Sequence, residues 1–197
     1  GTITWETNVG SDTKGRLMAV ATASNGDIAA AGYASKTGVQ QGLVVRLNSA
    51  GKQKWAHHVG TAKTELFYGV TWLGTGAVLA VGSTQKAAKA AVAVSAGENG
   101  VEWHKTWAEG THDLLCDAVG TSDGGFLAVG GIGDYLKRDF LVVKASAWGH
   151  DKCATAGFCA SKTATDCDDQ DPCTTDSCAA TSGCTHAALK GCQTGNN

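Results

Sequence analysis

At 197 residues, 43% of them hydrophobic and 17% charged, the chain has the apolar bulk for one full core, or for a core with an appendage. That composition excludes a disordered chain, and a net charge of −2 gives no electrostatic basis for binding nucleic acid. No run of about 18 apolar residues is present to cross a bilayer as a helix, and 27 Gly against 1 Pro predict many tight turns and few rigid linkers.

A division after Gly149 separates two compositions. Residues 1–149 hold all six Trp and nearly every large aliphatic side chain, with thirteen Lys and Arg against twelve Asp and Glu. Residues 150–197 hold three Lys against six Asp, and Phe158 and Leu189 are their only large apolar side chains. So little apolar bulk cannot offset the entropy of folding, and the second region needs covalent or ionic staples.

The first region repeats with a period near 50, which divides it into about 1–50, 51–99 and 100–149. Gly1-Thr2-Ile3-Thr4-Trp5 opens the first unit, and it recurs as Gly51-Lys52-Gln53-Lys54-Trp55 and as Gly100-Val101-Glu102-Trp103. A hydrophobic stretch then leads to a turn at Asn25-Gly26, Thr75-Gly76 and Asp123-Gly124-Gly125. A strand of small residues follows, ending at Gly32, Gly82 and Gly130. An apolar strand closes each unit: Gly42–Leu47, Ala90–Val94 and Asp139–Lys144.

Asn-Gly and Asp-Gly favour the positive φ of a type I′ turn, so hairpins are predicted there. No window carries a helical stripe. The predicted fold is all-β: three propeller-type four-stranded blades followed by a small disulfide-rich tail, with a sandwich or solenoid as the alternative. Three blades are too few to close a ring, so the sheets are expected to be completed by something else. The edge residues Thr2, Ile3 and Trp5 at one end, and Phe140 and Val142 at the other, are the candidates for that contact.

Seven of the eight cysteines (Cys153, Cys159, Cys167, Cys173, Cys178, Cys184 and Cys192) fall in the tail, and this density predicts disulfides and an oxidising compartment. The eighth, Cys116, stands where the other units have Met18 and Tyr68; it is expected either to pair with the tail or to remain a buried thiol. The fourth Trp slot of the repeat falls on Cys153, so the repeat stops within a unit. Asp166, Asp168, Asp169, Asp171 and Asp176 surround the tail cysteines. They form either a solvated acidic turn or a structural Ca²⁺ site, the latter without the glycine and terminal glutamate of an EF-hand loop. No other cofactor is expected.

Two resemblances rest on these segments. Ser122–Gly130 followed by Asp139–Lys144 resembles propeller repeats of secreted bacterial surface proteins found in myxobacteria and Bacteroidetes. Cys167–Cys178, continuing through Gly183-Cys184-Thr185-His186, resembles a Cys-rich repeat of myxobacterial extracellular proteins. The resemblances imply an exported or cell-surface protein and no single activity.

No nucleophile elbow or other catalytic motif is present, so no catalytic residue is assigned and no catalysis is expected. Trp72, Trp107 and Trp148 lie outside the repeating Trp slot and are candidates for stacking on a glycan, which makes a carbohydrate-binding propeller the alternative. A fragment of a secreted propeller enzyme is the second alternative. The leading expectation is an extracellular structural or adhesive protein. Its partner would be a second copy in an oligomer or filament, or the remainder of a larger surface protein.

Overall fold

The computed structural model describes residues 1–9, 14–35, 38–60, 64–85, 89–107, 110–134, 136–147, 174–179 and 183–188. The chain divides into two units, Gly1–Gly149 and His150–Asn197. Every regular element among the described residues is a β-strand.

In the first unit β1 (Lys14–Thr22), β2 (Ile28–Ser35), β3 (Gln40–Leu47) and β4 (Gln53–Val59) form sheet 1, each strand antiparallel to the next. Sheet 2 repeats the meander with β5 (Glu65–Trp72), β6 (Val78–Gln85), β7 (Lys89–Gly97) and β8 (Gly100–Trp107). Sheet 3 contains β9 (Leu114–Gly120), β10 (Phe126–Asp134) and β11 (Lys137–Ala145). Among the described residues it has three strands where four were expected; residues 148–173, where a fourth would begin, lie outside them. In the second unit β12 (Thr174–Ala179) and β13 (Gly183–Ala188) form an antiparallel hairpin.

The predicted hairpins form, with a different turn. The Gly26 N–H donates to the Ala23 carbonyl (2.9 Å) and the Ala23 N–H to the Asp27 carbonyl (2.8 Å). Ser24 and Asn25 are therefore the central residues, and Gly26 follows them at φ 82°. This is a three-residue loop closed by a left-handed glycine, which suits strand twist as well as the expected type I′ turn does. The same bonds recur at Leu73–Ala77 and Thr121–Gly125. Asn25, Thr75 and Asp123 each accept the N–H two residues on, which accounts for a short polar side chain at that place.

The glycines Gly32, Gly82 and Gly130 have a separate cause. The first strand of each sheet carries a bulge, at Met18, Tyr68 and Cys116, the three residues that the ladder skips. Each bulge brings a backbone carbonyl (Arg16, Leu66, Leu114) to where a Cβ on the facing glycine would stand. The bulge therefore leaves no room for a side chain opposite it.

The sheets pack in series. The forward face of sheet 1 (Ala29, Ala31, Val44, Trp55) meets the rear face of sheet 2 (Phe67, Val70, Val78, Val94) in one core. The forward face of sheet 2 (Leu79, Val81, Ala93, Trp103) meets the rear face of sheet 3 (Leu115, Phe126, Ala128, Val143) in a second. Two-residue alternation along the strands puts consecutive side chains into different cores. Gly42 is a point of close contact in the first joint, since the Phe67 ring occupies the space of its missing Cβ.

Candidate assembly surface

The forward face of sheet 3 repeats the positions buried in sheets 1 and 2. The register pairs Val129 with Val142 as it pairs Ala31 with Val44 and Val81 with Ala93. Those four counterparts are fully buried, whereas Val142 is 66% and Phe140 98% exposed, with Val119, Leu127 and Val129 exposed beside them. β11 also borders the sheet: among the described residues no strand pairs with its outer side. That strand edge lies next to an apolar face.

At the other end, residues 1–9 run without strand structure, so Thr2, Ile3 and Trp5 are not in a ladder. The counterparts of Ile3 and Trp5 lie in β4 and β8, the fourth strands of sheets 1 and 2. Among the described residues no strand pairs with residues 1–5. The segment is nonetheless anchored on sheet 1. The Trp5 ring covers Gly51, the Thr7 hydroxyl donates to the Gly51 carbonyl (2.7 Å), and Val9 packs against the Leu43–Val45–Leu47 cluster. Trp103 makes the equivalent reach from sheet 2 to sheet 3, donating its Nε1–H to the Ala147 carbonyl (2.9 Å). Residues 1–9 thus occupy, on the rear of sheet 1, the station of a preceding sheet's fourth strand.

The polar groups near these surfaces are engaged. Buried Asp27 accepts from Arg46 Nε (3.0 Å) and Lys54 Nζ (2.9 Å). Bonds from Lys54 and then Arg46 hold its carboxyl below the ordinary 3.8. Lys144, which replaces Arg46 in sheet 3, pairs with Asp123 and pushes it well below the usual carboxylate range, helped by the Thr121 hydroxyl. Buried Glu65 has one oxygen 2.8 Å from His104 Nε2. None of these pairs follows from sequence spacing, since their partners stand 19 to 39 residues apart.

The remaining predicted residues separate from one another. Trp72 is half-buried in the first core with the Arg46 guanidinium over its ring at 5.1 Å. Trp107 packs on the second core beneath Lys105 Nζ at 5.8 Å. Trp148 lies outside the described residues. Cys116 is an exposed free thiol, so neither the expected link to the tail nor the buried state is found; its bulge turns the side chain to solvent. Cys178 and Cys184 face each other in the β12–β13 register, and Asp176 lies on β12 opposite His186. Cys153, Cys159, Cys167, Cys173 and Cys192 lie outside the described residues, as do Asp166, Asp168, Asp169 and Asp171. Among the described residues no cluster of three metal-ligating side chains occurs, and no helix is long and apolar enough to cross a membrane.

No curated protein matches the chain. Residues 166–189, which contain β12 and β13, match the Dictyostelium (slime mold) repeat family, so this short part of the tail is similar to a known repeat.

Proposed function

We propose that the chain is an extracellular structural or adhesive module that assembles through the bare edge and face of sheet 3. Its three meanders are read as propeller-type blades, and its cysteine-dense tail as a disulfide-stapled extracellular repeat. The observation that carries the reading is the contrast within one repeat: positions fully buried in sheets 1 and 2 are exposed in sheet 3, beside a strand whose outer side has no partner among the described residues. Apolar side chains set beside free backbone groups are what β-augmentation uses. The partner is a second copy or the remainder of a larger surface protein, and no catalysis is assigned. The glycan-binding alternative draws less support, because Trp72 and Trp107 each have a cation over the ring and are packed on a core.

Light scattering of the full chain under non-reducing conditions, over rising concentration, tests self-assembly. The expected mass is a multiple of 20.0 kDa. A 20.0 kDa monomer at every concentration would remove self-assembly as the function.

A further inference from the structure

The joint between two copies follows from the exposed face of sheet 3 and from the seat of residues 1–9 on sheet 1. Among the described residues sheet 3 has three strands, and its forward face exposes Phe140 and Val142. Residues 1–9 have the sequence of a fourth strand and sit on the rear of sheet 1, and among the described residues no strand pairs with them. Resting on the assembly reading above, we propose that β11 of one copy takes residues 3–7 of a second copy as its antiparallel fourth strand. Sheet 3 is thereby seated on the rear face of the second copy's sheet 1.

The two complete sheets give the register. Arg46 faces Trp55 and Ser95 faces Trp103, so Lys144 faces Trp5 of the second copy. After the same irregularity, Leu47 faces Gln53 and Ala96 faces Val101, so Ala145 faces Ile3. In the other direction Val44 faces His57 and Ala93 faces Lys105, which sets Val142 opposite Thr7. Trp5 needs no new position, since it already covers Gly51 of its own sheet 1 as Trp103 reaches Ala147.

The faces match in bulk as well. In the first internal joint, Gly42 leaves room for Phe67. By register, Phe140 takes the place of Gly42 in sheet 3 and Leu17 the place of Phe67 in sheet 1. The large ring has moved across the joint and the residue that receives it is smaller. Leu17 and Val20 are exposed on the rear of sheet 1, as this placement requires. The contact is heterologous, one end meeting the other, so two copies close a ring or many extend a filament.

Two variants of the full chain test the joint by complementation. Val142→Arg puts a charge on the accepting face, while the double substitution Ile3→Pro and Glu6→Pro interrupts the donated strand at residues of both parities. Each variant alone is expected to lose assembly and run as a monomer, with its circular dichroism and the melting midpoint of the dilute protein retained. An equal mixture is expected to regain a species of two chains, since one supplies an intact edge and the other an intact strand. Phe140→Ser gives a second accepting-face variant with nothing to lose from the core, its side chain being 98% exposed. Assembly that survives the proline variant but not Val142→Arg would show β11 pairing with itself and overturn the joint. So would two monomeric variants that stay monomeric when mixed. In both cases self-assembly of the unsubstituted chain would leave the broader reading standing, whereas an unsubstituted chain that never assembles removes both.

Discussion

Asp27 leaves the first turn buried, and its carboxylate is held by two cations from neighbouring strands, Arg46 on β3 and Lys54 on β4. These bonds tie the turn of the β1–β2 hairpin to the outer half of its sheet. The folded carboxyl sits below its ordinary 3.8, so its contribution is full above that pH and is lost as pH falls through the folded value. Asp27→Asn is therefore expected to melt at a lower temperature at pH 7, with the gap closing below about pH 3.8. Thermal melts from pH 7 to pH 2 measure this, and a gap constant with pH would remove the carboxylate as its cause. The Arg46 guanidinium also lies over Trp72, so one side chain joins the turn of sheet 1 to the first strand of sheet 2.

Within each sheet, a bulge on the first strand and a glycine on the second form one device. At Gly82 the Leu66 carbonyl stands where a methyl would be added, and both groups belong to the backbone. Gly82→Ala is expected to destabilise by about 1–3 kcal/mol, the usual cost of forcing bulk into a filled place. Gly131→Ala is the matched control: the nearest atom to its added methyl is on the Arg138 side chain at 3.4 Å, and it should change little. Urea titration of both variants decides the point, equal effects meaning that close approach is not the reason for the glycine. These elements were legible in the sequence because their causes are local. A left-handed turn residue and a crowded strand position both demand glycine, and the repeat shows each demand three times. The turn type was less legible, since Asn25-Gly26 suits either the two-residue or the three-residue loop, and the backbone bonds decide between them.

At the scale of the unit, the sequence could place the apolar strands but not say which face stays bare. Leu127 and Val129 alternate with their neighbours just as the buried Leu79 and Val81 do, because all three sheets carry the same pattern whether or not another sheet follows. Residues 1–5 misled in the opposite direction, since they carry a fourth-strand motif but join no ladder among the described residues. An assembly that joins these ends ties folding to association, so its melting temperature must depend on concentration. If two copies close a ring, each tenfold rise in concentration should raise the midpoint by about 1–3 °C for a chain of this size. Val142→Arg should abolish the dependence while leaving the midpoint of the dilute protein in place, because Val142 contributes an exposed side chain to the isolated unit. Scanning calorimetry over a hundredfold range of concentration measures both. A midpoint equally independent of concentration in both proteins would mean that the bare face of sheet 3 is not what holds the copies together.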